Sequence, residues 1–145
     1  MRHLIRLVLL LVCSLGVSAS LTAQVSSAGG EEGKFQLEQN YPNPFNPETR
    51  IPFVLGDELF AEGAQVRVMV RIYNVLRQLV AAPTALNHAL GEGQPVEDLE
   101  YATPGRHEAY WDGRDRSGAQ VASGVYFVQL VVNGQSQVRK MFVTK

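Results

Sequence analysis

Cysteine is almost missing from this chain. The one cysteine, Cys13, lies inside an apolar run near the N-terminus, and no thiol follows it. From Gln24 onward that excludes disulfides, thiol nucleophiles and cysteine-ligated metals, so an exported domain there depends on its hydrophobic core. Histidine is nearly as scarce, with only His88 and His107 beyond the first residues. No spacing supplies either with metal-binding partners, and on a strand the adjacent His107 and Glu108 face opposite ways. An excess of one charge is missing too. The 13 basic and 14 acidic side chains leave a net charge of −1, which offers no footing for nucleic acid. The run Leu7 to Val17 is too short to cross about 30 Å of hydrocarbon, which takes roughly 20 residues.

Motifs of catalysis are also lacking. Ser117 and Ser123 sit in no Gly-x-Ser-x-Gly elbow, and Gly91-Glu92-Gly93 is no phosphate cradle. Asp112 to Gly118 departs from the Asp-x-Asp-x-Asp-Gly pattern that wraps calcium, and Arg114 and Arg116 offset its charge. The expectation is a protein that is not an enzyme, with no cofactor, no metal and no small-molecule substrate.

What is present begins with an export signature. Arg2 to Arg6 is a short basic region, Leu7 to Val17 is apolar, and Ser18 to Ala23 is a small-residue exit. This predicts a signal peptide over residues 1–23, cleaved after Ala23, and passage through the inner membrane. Val12 before Cys13 argues against a lipoprotein, since a small residue is expected there. Loss of Arg2 and Arg6 takes the net charge of −1 to about −3. Residues 24–34 are small, polar and Gly-rich, a linker with no core and too short for a cargo domain.

From Phe35 the chain alternates like strands. Phe35 to Gln39 and Thr49 to Leu55 come first, with Pro52 marking an edge or bulge. Gly56 to Gly63 reads as a polar connection. In Gln65 to Tyr73, Val66, Val68, Val70 and Ile72 face inward and Arg67 and Arg71 outward. Asn74 to Arg77 turns the chain back into Gln78 to Val80. A helical turn is expected over Thr84 to Leu90, ended by Gly91, and an elongated acidic loop from Gly91 to Gly105, either simply solvated or a partner-specific insertion. Arg106 to Trp111 is a strand, and Trp111, the sole tryptophan, suits a core anchor. Asp112-Gly113, Ser117-Gly118 and Ser123-Gly124 are successive turns. Gly124 to Val132 is a β-branched and aromatic strand containing Tyr126. Asn133-Gly134 is a strong hairpin signal, because a type I′ turn needs φ > 0 at both central residues. Ser136 to Lys145 closes the sheet.

One segment stands apart. In Asn40-Tyr41-Pro42-Asn43-Pro44-Phe45-Asn46-Pro47 each proline fixes its own φ and extends the residue before it. It is either a proline-rich ligand for a peptide groove or a rigid arm packed on its own domain, with Tyr41 and Phe45 as anchors. The packed arm accounts better for the two aromatics. The sum is an all-β, antiparallel, immunoglobulin-like (fibronectin III-like) sandwich of about seven strands over residues 35–145.

Four landmarks carry a resemblance: Asn40 to Pro47, the hairpin Ile72 to Val80, the block Trp111 to Leu130, and the closing run Lys140 to Lys145. In this order they resemble the type A C-terminal sorting domain of the bacterial type IX secretion system, and the related domain of flagellar hook-capping proteins. Where the family's hairpin carries glycine, this chain has Arg77. The secretory leader fits the sorting relative better, since flagellar axial proteins leave by their own route. The resemblance implies a folded signal read by outer-membrane secretion machinery, with transit through the periplasm to the cell surface or medium. It associates recognition with Lys140, Met141, Phe142, Val143 and Lys145. Asn40, Tyr41, Pro42, Asn43, Pro44, Phe45, Asn46, Pro47, Trp111, Asp112, Gly113, Gly118, Gly124 and Tyr126 form the structural motif. The alternative is a free-standing secreted module of the same fold, adhesive, carbohydrate-binding or adaptor. Tyr41, Phe45, Tyr73, Tyr101 and Tyr110 are its candidate contact residues.

Overall fold

Nine strands follow one another in the computed structural model, which describes residues 34–145. The expected signal peptide, and the linker up to residue 33, lie outside the described residues. In chain order the strands are β1 (Phe35–Leu37), β2 (Thr49–Leu55), β3 (Val66–Tyr73), β4 (Leu79–Ala81) and β5 (Thr84–Leu86). They continue with β6 (Leu99–Tyr101), β7 (Gly105–Trp111), β8 (Gly124–Val132) and β9 (Gln135–Val143). A four-stranded sheet runs β1-β2-β7-β5. A five-stranded sheet runs β4-β3-β8-β9, with β6 also on β3. All strand pairings are antiparallel. The fold is therefore an all-β sandwich. The excess over seven strands comes from three-residue pieces such as β1, β4, β5 and β6.

The core lies between the sheets and follows from the period of two. Val66, Val68, Val70 and Ile72 of β3 meet Val128, Leu130 and Val132 of β8 on one side. Ile51, Phe53 and Leu55 of β2, with Ala109 and Trp111 of β7, line the other. Each of the valine, leucine, isoleucine and phenylalanine side chains contributes about 1.5–3 kcal/mol on full burial. The Asn133-Gly134 hairpin takes the expected positive φ at both residues, 48° and 85°. Arg77 adopts φ 60°, the left-handed conformation that glycine takes most readily. Asn74 holds that turn, its Oδ1 accepting from Leu76 N at 3.0 Å and Gln78 N at 2.9 Å.

Four expectations need correction. Thr84 to Leu90 is not a helical turn. Thr84 to Leu86 pairs with Tyr110 to Glu108 of β7, and Asn87 turns out of the strand at φ 54°. A single helical turn closes too few hydrogen bonds to compete with a ladder and the burial of Ala85. Gly91 to Gly105 is not a solvated loop. Val96 and Tyr101 are buried, and Val96 bonds through its main chain to Val70 and Pro83, at 2.8 and 2.9 Å. Its acids stay outside, where Asp98 and Glu100 hold Arg67. Residues Asp57–Gly63 are not merely a polar connection: they hold two short 3₁₀ turns separated by a kink at Ala61 and Glu62, with Leu59 and Phe60 packed against the core. Pro52 sits in a central strand. Its carbonyl accepts from Glu38 N at 2.9 Å, just past the end of β1, so its missing N–H points where the neighbouring strand has stopped.

Candidate interaction surface

The Asn40–Pro47 arm is built from side chains that satisfy its own backbone. Asn40 is buried, and its Nδ2 donates to Thr49 Oγ1 at 3.0 Å and to Pro42 O at 3.2 Å. Thr49 Oγ1 donates to the same carbonyl at 3.0 Å. This matters because the prolines leave the arm few N–H groups with which to form a ladder. The Tyr41-Pro42, Asn43-Pro44 and Asn46-Pro47 bonds are cis. Phe45 is fully buried, edge-on to Trp111 with ring centroids 5.3 Å apart, and Trp111 in turn meets Tyr126 at 5.8 Å. Trp111 Nε1 donates to Arg114 O at 2.9 Å, so the indole enters the core without an orphaned donor.

The turn after Trp111 closes on the arm. Asp112 caps it by accepting from Arg114 N, as expected of a turn acceptor. Gly113 lies at φ 73°, and a Cβ there would stand 2.2 Å from Pro47 O. Only glycine allows that approach. Gly118 also has positive φ, in a loop held by Asp115, whose Oδ1 accepts from Ser117 N, Ser117 Oγ and Ala119 N. The Ser117 bond and these amides keep the Asp115 carboxyl below its usual range.

The arm then clasps the C-terminal strand. Phe45 N donates to Phe142 O, and Thr144 N donates to Phe45 O, each at 3.0 Å. Phe142 N donates to Asn43 Oδ1 at 2.9 Å. Farther along β9, Gln137 and Arg139 turn inward at the open side of the sandwich and bond the backbone of β1. Leu37 N donates to Gln137 Oε1 at 2.8 Å, and Gln137 Nε2 and Arg139 Nε donate to Phe35 O and Leu37 O. The landmarks Asn40–Pro47, Trp111–Tyr126 and Lys140–Lys145 are thus one interlocked body.

The five residues of the closing run divide in two. Met141 and Val143 are buried and belong to the core. Lys140, Phe142 and Lys145 face solvent, with Phe142 42% exposed. Alternation along β9 decides this: Gln137, Arg139, Met141 and Val143 point inward, and Ser136, Val138, Lys140 and Phe142 outward. The aromatic candidates do not gather on one face. Phe45 and Tyr101 are buried. Tyr41 and Tyr110 belong to the outer face of the four-stranded sheet, and Tyr73 to that of the five-stranded sheet.

The two outer faces differ in chemistry. On the four-stranded sheet Glu108 receives Tyr41 Oη, Arg50 and Arg106, and Arg106 also reaches Glu38 at 3.0 Å. Burial alone would raise the Glu108 carboxyl; the hydrogen bonds from Tyr41, Arg106 and Arg50 outweigh it and hold it below the usual range. Arg106 is pushed up, mainly by Glu38 and then Glu108. This face is a closed ionic network. The outer face of the five-stranded sheet carries Phe127, Val138 and Phe142 instead. Sequence reading did not single it out, although the register of the Asn133-Gly134 hairpin implies it.

No protein-family model and no curated protein matches this chain. Among solved structures, dimeric latent PorU from Porphyromonas gingivalis aligns with a TM-score of 0.54 at 20% identity, over 76% of this chain and 9% of that one. PorZ from the same organism, an essential bacterial surface component of its type IX secretion system, aligns with a TM-score of 0.42 at 20% identity, over 74% of this chain and 11% of that one. The Pseudomonas fluorescens alkylpurine DNA glycosylase AlkC, bound to DNA, aligns with a TM-score of 0.48 at 13% identity, over 77% of this chain and 31% of that one. The likeness to PorU is one of fold.

Proposed function

We propose that residues 35–145 are a non-catalytic sorting domain of the type IX secretion kind, a folded export signal read by outer-membrane secretion machinery. One observation carries the reading. The segments that resemble the sorting family, scattered along the sequence, converge in space, where the Asn43–Phe45 arm fixes residues 142–144 through three hydrogen bonds. That arrangement presents Lys140, Phe142 and Lys145 on a rigid frame, with Met141 and Val143 as its roots. A receptor would meet a pre-ordered surface and pay little ordering entropy on binding.

The test uses the full chain, expressed in a bacterium with an intact type IX system and in an isogenic strain without it. Fractionation and intact-mass measurement are expected to find the protein at the surface or in the medium of the first strain only. Substituting Lys140→Glu, Phe142→Ser and Lys145→Glu together should strand it in the periplasm with an unchanged thermal melt. Periplasmic retention of the wild type in the competent strain, or surface delivery in both strains, would overturn the proposal. In that case a free-standing binding or structural module is the reading left.

A further inference from the structure

The outer face of the five-stranded sheet has a fixed pattern of cross-strand rows. Val125 stands beside Phe142, and Tyr73, Phe127 and Lys140 form the next row. Arg71, Gln129 and Val138 follow, then Met69, Val131 and Ser136. Between Tyr73, Phe127 and Val138 runs a groove of about 590 Å³, with Val75 and Arg77 at its mouth. Val75 is 63% exposed and Val138 56%, so apolar surface lies open along it. Such contiguous surface on a strand face is where soluble domains meet partners.

Charge says which partner. No carboxylate occurs in the four rows, whereas Arg71 and Lys140 stand in them and Arg77 at the rim. None of these three cations has an ion pair among the described residues, and Arg71 Nε is buried without an acceptor. On the opposite face Arg50 and Arg106 both hold carboxylates, and at the far end of this sheet Arg67 holds Asp98 and Glu100. Arg114, Arg116 and Arg139 also lack an ion pair among the described residues, but they lie off this face, and Arg114 and Arg139 bond the Gly118 and Leu37 carbonyls. Around the groove, unpaired cations stand together with no carboxylate in the rows.

We infer that this face is a docking surface for an acidic, apolar polypeptide: an extended segment whose residues i, i+2 and i+4 face the sheet, with an aromatic or aliphatic one entering the groove and carboxylates on the same side meeting Arg71, Lys140 and Arg77. The span of β8 from Val125 to Val131 is about 20 Å at 3.3 Å per residue, room for roughly six extended residues. Because side chains alternate along such a segment, only every second residue meets the rows, so the apolar and acidic positions that bind are two apart. The inference stands independently of the export reading, because it concerns binding of a polypeptide in solution whatever the destination of the protein.

The experiment is an amide chemical-shift titration of the full mature protein with the six-residue peptide Glu-Ser-Phe-Ser-Glu-Ser, which carries Glu, Phe and Glu on one face when extended, blocked at both ends, and with its Lys-for-Glu counterpart. The acidic peptide is expected to shift Tyr73, Phe127, Val138 and Lys140, and to weaken as salt is raised. Lys140→Glu and Val138→Asp, both at exposed positions, should each weaken it by at least about fivefold with an unaltered melt. Glu38→Gln on the opposite face should leave it unchanged. Equal binding of the basic peptide, or shifts elsewhere only, would overturn the inference. So would binding to phosphatidylglycerol vesicles without binding to the acidic peptide, which would make the face a lipid-contacting one.

Discussion

Replacing Phe45 by alanine would remove the ring on which the arm, the Trp111 turn and the C-terminal strand converge. Phe45 is fully buried, so the change takes a whole aromatic ring out of a close-packed site. A buried Phe→Ala costs about 3–5 kcal/mol. The edge-on contact with Trp111 at 5.3 Å places this site in the upper half of that range, since such pairs add about 0.5–1.5 kcal/mol beyond area. Little relaxation is available, because Gly113 and Pro47 already touch on one side and the main-chain bonds to Phe142 and Thr144 hold the other. The expected loss is about 4 kcal/mol, or on the order of 15 °C in Tm for a domain of this size. The assay is urea and thermal unfolding followed by the fluorescence of Trp111, the only tryptophan in the chain, which reports from the same cluster. Phe142→Ala, a truncation at an exposed position, is the control and should cost less than about 1 kcal/mol. A Phe45→Ala loss below about 1 kcal/mol, with Trp111 emission unmoved, would refute the account of the arm as part of the core.

Gly113→Ala should destabilise by more than about 2 kcal/mol in the same urea assay, since it combines a left-handed φ with a Cβ overlapping Pro47 O; a neutral result would mean that the arm moves aside freely. Deleting Lys140 to Lys145 should unfold the domain, because Met141 and Val143 leave the core with it, whereas the triple surface substitution should keep a native circular-dichroism melt. The His107 imidazole is held below its ordinary pKa by burial, the Thr103 carbonyl opposing and nearby His88 adding to the effect. The folded state therefore binds fewer protons, so the stability this supplies is complete above about pH 6.5 and falls as pH drops towards the lower folded pKa. Urea midpoints for wild type and His107→Gln should converge on acidification, and parallel curves would contradict this. Burial pushes the Tyr101 phenol up to about 12, so its stabilising effect is full below about pH 10 and is lost as pH rises towards 12. Ultraviolet titration of folded protein should show one tyrosine ionising last, absent in Tyr101→Phe.

The parts of this molecule legible in its sequence are those that local chemistry dictates. The β3 alternation, the Asn133-Gly134 turn and the burial of Trp111 each follow from a period or a backbone requirement within a few residues. Thr84 to Leu86 was misleading because its strand exists only through pairing with β7, a partner that no local signal announces. Val96 was hidden by its acidic neighbours, although one buried valine turns that whole segment into a crossover between the sheets. Tyr41 and Phe45 looked alike as anchors, yet only Phe45 is buried while Tyr41 stays 42% exposed beside Glu108. The division of the closing run into roots and surface was readable in principle. It needs only the hairpin register and the alternation that β9 inherits from it.

The clasp between the arm and the last strand also orders events during synthesis. Asn43 and Phe142 are 99 residues apart, and Leu37 and Gln137 are 100 apart. These closures cannot form until β9 has left the ribosome, and contacts so distant in sequence form slowly. Until then the four-stranded sheet has an unstitched edge and the arm has nothing to hold. An intact clasp is therefore a certificate of assembly: any factor that recognises Lys140 and Phe142 in place on the arm recognises a domain whose β9 has been made and has closed on the arm.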